Sequence, residues 1–377
     1  MAFATAGEGR RSANPRPAHE RSETRARLQA CFRQRGRDVK AYKVMRPVGL
    51  DGLEVIDLAD PRPARGEVVV AVRACSLNNR DLGVIRGGYY RNDKQPVIPG
   101  SDMAGEIIEV GRDAGDWKVG DRVMASFVRD WISGPPDDAV LRTSFGGGID
   151  GFLCERAAVP AHCLVRIPPS MSFAQAATLP CAGVTAWHAL MRAGTHAGQT
   201  LLLLGTGGVS LFGLQLGRAL GCRCIVISSS DAKLERASSL GAADGVNYKA
   251  QTDWEVPVRA LTGGVGVDHV LEIGGAGTLA RSIRATRAGG TISLIGLVAR
   301  ADTHPPVEPA ALECITLNGV YVGSRTMLET LVAACMVNRI EPVIDRVFDF
   351  VNAPRAYAHL ASQAHFGKVV IELAGRG

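Results

Sequence analysis

Hydrophobic and polar positions follow two rhythms along this chain. From residue 39 to about residue 110, short apolar runs at 40–45, 53–57, 67–74 and 104–110 are separated by Gly, Pro and Asp turns. That spacing predicts short β-strands. Near residue 172 the texture changes. Helical spacing runs through 173–192, and strand and helix patterns then alternate: LLLLG, a helix over 207–220, RCIVIS, a helix over 231–240, GVNY, a helix over 252–262, HVLEIGG, a helix over 277–287 and GTISLIGL. Wholly apolar strands alternating with helices predict a parallel sheet covered on both faces. After residue 310 come the strand ITLNGVYVG, a helix over 326–338, and a closing helix and strand over 353–361 and 367–373. The last strand is expected to return to the first domain. Residues 128–150 read as an irregular excursion with few apolar anchors.

Length and composition sharpen this picture. At 377 residues, 46% hydrophobic and 21% charged, the chain has material for two cores. The net charge of +6 sits almost entirely in residues 1–38, which hold nine Arg against four acids. That tail lacks an apolar period and reads as disordered. Its Arg bias fits a transit peptide, but Glu8, Glu20 and Glu23 weaken that reading. A mis-assigned start codon near Val39 is favoured over a functional arm. The near-neutral remainder has no basic stripe with interleaved aromatics, which argues against a nucleic-acid partner. The uncharged run 200–217 is long enough to cross a membrane, yet its five glycines and Gly-Thr-Gly-Gly turn point to strand, loop and helix instead. Nine cysteines without a CxxC pair read as reduced thiols in a cytosolic protein.

The strongest local motif is Gly205-Thr206-Gly207-Gly208-Val209-Ser210, which follows a strand and opens a helix. Glycines there allow a tight turn and let backbone N–H groups approach a pyrophosphate at the helix N-terminus. The next strand ends in Ser228-Ser229-Ser230-Asp231-Ala232-Lys233. An acid that would accept from a ribose 2′-hydroxyl is missing at Ser228. Ser228, Ser229 and Lys233 suit a 2′-phosphate, so NADPH is expected over NADH. Ser230 or Asp231 is free to cap the following helix.

Seven segments, SLNNRD (76–81), PGSDMAG (99–105), VGDRV (119–123), LPCAGVTAW (179–187), GTGGVS (205–210), LGAADGVNY (240–248) and FGKVV (366–370), occur in family order over residues 39–374. On these the chain resembles the medium-chain dehydrogenase/reductase superfamily, nearest its zinc-less branch of quinone oxidoreductases and alcohol-dehydrogenase-like proteins. The resemblance implies an α/β fold in which a Rossmann doubly wound parallel sheet is inserted in a GroES-like, mainly β catalytic domain. The expected divisions are a tail at 1–38, catalytic domain at 39–175 and 323–377, and an NADP-binding domain at 176–322. Zinc-dependent members supply Cys, His-Glu and Cys to a catalytic metal. Aligned by motif, this chain offers Asn78, Ser101-Asp102 and Cys181, and the segment 128–150 has no cysteine for a structural zinc. An amide and a hydroxyl are poor zinc ligands, so no zinc is expected.

Without a Lewis acid, conjugated carbonyls and quinones are the fitting acceptors, because negative charge delocalises to an oxygen that hydrogen-bond donors can hold. The resemblance points to Asn78 and Tyr90 as those donors. Arg80 and Asp81 read equally well as a structural ion pair or turn cap, and Phe127 and Trp131 as an apolar wall or as core. For the cofactor, the resemblance implies Thr185 and Gly205 to Val209 near the phosphates, and Lys233 and Tyr248 near the adenosine. Gly274, Gly296, Val298, Val322 and Ser324 would lie near the nicotinamide. The histidines show no metal-type spacing. The apolar strand 315–322 would form a sheet edge, through which a homodimer is expected. Competing readings are alcohol/aldehyde oxidoreduction, a stand-alone enoyl reductase, and a catalytically silent NADPH-binding regulator.

Overall fold

A computed structural model describes residues 38–89, 94–296 and 306–373. The tail up to residue 37, together with Tyr90 and Val298, lies outside the described residues. Alternating apolar positions place β1 (Val39–Val44) and β2 (Leu53–Leu58) in an antiparallel pair. A larger sheet follows from β3 (Glu67–Leu77), β4 (Asp102–Val110), β5 (Arg122–Ala125), β6 (Arg156–Pro160) and β7 (Leu164–Arg166).

The alternating second half forms β8 (Thr200–Leu204), β9 (Arg223–Ser228), β10 (Asp244–Asn247), β11 (Val267–Glu272), β12 (Thr286–Leu294) and β13 (Thr316–Gly319). All pairs are parallel, in the order β10-β9-β8-β11-β12-β13. The chain winds outward from β8 in one direction, then crosses to β11 and winds outward in the other. The loops after β8 and β11 therefore flank the switch point, where an open α/β sheet receives its ligand. Leu201 to Leu204 are buried on both faces, which is why the sequence there is an unbroken apolar run rather than an alternating one. Each such side chain contributes about 1.5–3 kcal/mol by burial.

The chain end then returns to the first sheet. β14 (Ile344–Asp349) pairs with β15 (Lys368–Glu372), and β15 pairs antiparallel with β3 in a register that sets Val369 opposite Leu77. That sheet runs β14-β15-β3-β4-β5-β7, with β6 also on β3.

Two expectations need correction. The stretch 173–192 is not one helix. It is a short helix Phe173–Ala176, a wide turn of π type at Leu179–Gly183 and a helix Val184–Arg192. Pro180 lacks the N–H that a regular helix would use, and a local π turn accommodates it. The edge strand is also shorter than 315–322. It stops at Gly319, before Val322, whose φ of 42° is foreign to a strand.

Candidate active site and cofactor cleft

β3 ends at Leu77, and the next residue, Asn78, precedes the helix Asn79–Arg86. Its backbone N–H donates to the Asp81 carboxylate at 2.8 Å, so Asp81 caps the helix. Asp81 is fully buried, and burial pushes its carboxyl up to about 6 against the opposing pull of Arg80. No Arg80–Asp81 hydrogen bond forms among the described residues. Arg80 instead donates to the Phe145 carbonyl at 2.5 Å and lies 4.4 Å from the Tyr89 ring centroid and 4.8 Å from that of Phe127. Of the two readings offered for this pair, the cap holds for Asp81 and the ion pair does not form.

The Asn78 amide joins a buried chain of polar groups. Lys368, on the first position of β15 and only 3% exposed, donates from Nζ to the Leu77 carbonyl at 2.6 Å and to Asn78 Oδ1. An ammonium only donates, so the amide oxygen faces Lys368 and the amide nitrogen faces away. Asn78 Nδ2 donates to Ser101 Oγ at 3.3 Å, Ser101 Oγ to Asp102 Oδ1 at 2.8 Å, and the Cys181 backbone N–H to Asp102 Oδ2 at 3.2 Å. Ser101 and Asp102 are fully buried. Burial raises the Asp102 carboxyl, and the Lys368 charge is the first influence opposing that rise. Cys181 sits in the π turn, half-buried, with its thiol pushed well up by burial and next by the Asp102 charge.

The four positions aligned with metal ligands thus carry one amide, one hydroxyl, one carboxylate and one thiol, with an ammonium bonded into the set. Among the described residues, no group of three or more His, Cys, Asp or Glu side chains could hold a metal ion.

Across the cleft, the Tyr89 hydroxyl meets that of Tyr321 at 2.8 Å, and Tyr321 packs edge-on against Phe127. Burial raises the Tyr89 phenol far out of the neutral range, so it stays protonated. Tyr321 also lines a cavity of about 300 Å³ with Trp131, Pro135, His188, Arg192 and Met327. Trp131 is 3% exposed and donates to the Gly134 carbonyl at 2.7 Å; it belongs to the core and the cavity wall at once.

The glycine loop has the shape a dinucleotide needs. Gly205 turns at φ 76°, a left-handed conformation that favours glycine. Gly207 precedes the helix Gly208–Ala219, and a Cβ added to it would meet nothing within 4 Å. That space is the cradle in which a pyrophosphate would sit at a helix N-terminus. Thr206 is buried and its carbonyl accepts from the Gly367 N–H at 3.0 Å, while half-buried Val209 lies in the first turn of the helix. Ser210 seats its hydroxyl on the Leu204 carbonyl at 2.6 Å, as a small residue at the sixth position should. Thr185 caps the Cys181 carbonyl at 2.7 Å.

At the far end, Ser228 is buried, Ser229 is half-buried and Tyr248 is exposed. Lys233 reaches across to the Gln363 carbonyl at 2.8 Å. On the opposite flank, Glu272 is fully buried and accepts from the Gly274 and Gly275 N–H groups at 2.7 and 3.0 Å, holding the loop after β11. Gly296 approaches the Ile273 carbonyl so closely that a Cβ would lie 2.1 Å from its oxygen. Val322 turns its carbonyl to His188 Nδ1 at 2.7 Å, and Ser324 caps the helix Arg325–Val337 by accepting from Met327 N–H at 3.2 Å. For a β-branched residue, a positive φ is a strained conformation of the kind kept at functional sites.

Sequence reasoning missed Lys368, Tyr89, Tyr321 and Glu272. FGKVV contains Lys368, and Tyr89 adjoins Tyr90, but nothing along the chain ties residue 368 to residue 78.

A doubly wound nucleotide-binding sheet set beside a GroES-like domain, with a buried polar centre near the loop that opens the nucleotide helix, is the plan of a two-domain nicotinamide-dependent oxidoreductase. Residues 64–169 match the family described as alcohol dehydrogenase GroES-like domain, and residues 208–338 match zinc-binding dehydrogenase. A zinc-type alcohol dehydrogenase-like protein of Schizosaccharomyces pombe is 42% identical over 86% of this chain and 96% of its own length. An acryloyl-coenzyme A reductase of Metallosphaera sedula is 29% identical over 85% and 96% of the two chains. The crystal structure of a putative alcohol dehydrogenase from Sinorhizobium meliloti superposes with a TM-score of 0.83 at 39% identity, covering 89% of this chain and 99% of that one. The chain belongs to the medium-chain dehydrogenase/reductase superfamily.

Proposed function

We propose that this protein is an NADPH-dependent reductase that passes hydride to a quinone or an α,β-unsaturated carbonyl without a metal ion. One observation carries the reading: the buried chain Lys368–Asn78–Ser101–Asp102 bonds to itself where metal-dependent relatives are expected to place their ligands. An ammonium bonded into that set repels a divalent cation, and the donor types do not suit zinc. The names of two relatives support the acceptor class: the acryloyl-coenzyme A reductase and a quinone oxidoreductase-like protein of Bos taurus, 28% identical over 85% of this chain and 89% of its own length.

The residues present fit the cofactor. Gly205 to Val209 would cradle its pyrophosphate, and Ser228, Ser229 and Lys233 would take a 2′-phosphate. The loops holding Gly274, Gly296, Val322 and Ser324 would wall the nicotinamide. When bound, NADPH supplies a hydride for the far carbon of the conjugated system, whose π electrons shift to leave negative charge on oxygen. The protein's task is to orient the acceptor, exclude water and hold that oxygen. Tyr89 is kept protonated by burial and so retains a hydrogen to donate; Asn78 and Tyr90 remain the other candidate donors. We also propose a homodimer joined through the edge that β13 forms among the described residues, and a cytosolic setting that keeps the thiols reduced. No helix among the described residues is long and apolar enough to cross a membrane.

The test is a panel of acceptors. NADPH or NADH oxidation is followed with 1,4-benzoquinone, a cyclic enone and an aldehyde, using wild-type protein and Lys233→Ala. The proposal expects turnover of quinone or enone, little with aldehyde, and a KM for NADPH that rises in Lys233→Ala far more than that for NADH. Aldehyde turnover with a bound stoichiometric zinc would defeat it.

A further inference from the structure

Lys368 occupies an uncommon place for a lysine. Its ammonium is buried, and its stem crosses the first turn of the nucleotide helix so closely that a Cβ on Gly208 would fall 2.5 Å from Lys368 Cδ. The preceding residue, Gly367, bonds backbone to backbone with the glycine loop through Thr206. The register of β15 on β3 delivers the same side chain to Leu77 and Asn78. One residue therefore touches the cofactor loop with its stem and the polar centre with its charge. The buried carboxylate of Asp102 closes the same hydrogen-bonded chain through Asn78 and Ser101, and the backbone N–H of half-buried Cys181 bonds to that carboxylate.

We propose that Lys368 is the fixed cation of this centre: a positioning residue that locks the Asn78 amide, balances Asp102 and keeps a positive potential on the cleft wall where an oxygen anion forms. This rests on the reductase reading. A metal would supply such a charge from a set of ligands; here it is covalently part of β15 and held in register with the cofactor loop. Preorganised charge aimed at a developing anion needs no rearrangement during the reaction, and losing one such element commonly costs about 10²-fold in rate.

The experiment compares Lys368→Met, Lys368→Gln and Lys368→Arg in the full chain. Gln keeps a donor for the Asn78 oxygen while losing the charge, and it stands in for Met should Met fail to fold. Three quantities are read: kcat with whichever quinone or enone the wild type reduces, the Kd for NADPH, and the rate at which iodoacetamide alkylates Cys181 at fixed pH, followed by peptide mass spectrometry. The expected result is that Met and Gln lower kcat by about 10²-fold with little change in Kd. Both should slow Cys181 alkylation by about threefold or more, since the thiolate they destabilise is the reacting species. Arg should restore much of both. A Gln variant that matches the wild type would overturn the proposal. So would a loss confined to NADPH affinity, which would make Lys368 a cofactor contact, or a loss of kcat with Cys181 reactivity unchanged. If the wild type reduces none of the acceptors, the reductase reading fails on its own, and the Cys181 rates alone decide whether Lys368 sets the potential of the cleft.

Discussion

Asp81 shows how the polar centre costs stability. Its carboxyl is fully buried and raised from the ordinary 3.8 to about 6, with burial the largest cause. The sign follows directly. Below pH 4 the group is protonated in both folded and unfolded chains and contributes nothing. As pH rises from about 4 to 6 the unfolded chain releases the proton first, so folded stability falls through that window by at most about 3 kcal/mol. Asp81→Asn removes this component. Thermal melts at pH 4.5 and 7.5 should show wild type losing more Tm than the variant across that interval; parallel losses would contradict the assignment. At this scale the sequence was only partly informative. Residue types at 78, 101, 102 and 181 flagged a centre without metal ligands. Which partners they choose depends on Lys368, some 290 residues from Asn78; the buried phenol that meets Tyr321 belongs to Tyr89, whose neighbour Tyr90 was the residue singled out.

At the scale of elements, the inserted sheet was legible because strands buried on both faces are written as continuous apolar runs between helices of regular period. The strands β5, β6, β7 and β14 escaped notice. They are short, three to six residues, and β6 buries only Val159 while β14 buries none, which leaves little apolar patterning to see. The break at Leu179–Gly183 was hidden for the opposite reason, since apolar spacing continues through it while Pro180 forces the wide turn that brings the Cys181 N–H to Asp102. The glycine loop offers a clean test of the cradle. A Cβ at Gly207 has nothing within 4 Å, and φ there is -83°, so Gly207→Val starts in open space and needs no positive φ. It should leave Tm within about 2–4 °C, the shift expected for about 1 kcal/mol in a chain of this size or smaller. The same variant should weaken NADPH binding at least tenfold, because its side chain fills the pyrophosphate space. Unchanged affinity by titration calorimetry would place the cofactor elsewhere.

Across the whole molecule, β15 returns to β3 within the first sheet, and Gly367 just before it bonds to the glycine loop of the second; this closure lets a residue near the C-terminus complete a centre begun at Asn78. The order of the family's segments implied the fold class, but not that the returning strand would carry a charge to Asn78. In the proposed reaction this charge serves in place of a metal. The direct measurement is enone- or quinone-dependent NADPH oxidation before and after exhaustive chelation, with zinc quantified by elemental analysis on the same samples. The same kcat is expected in both, with zinc far below one equivalent per chain. Activity that disappears on chelation and returns in proportion to added zinc would contradict it.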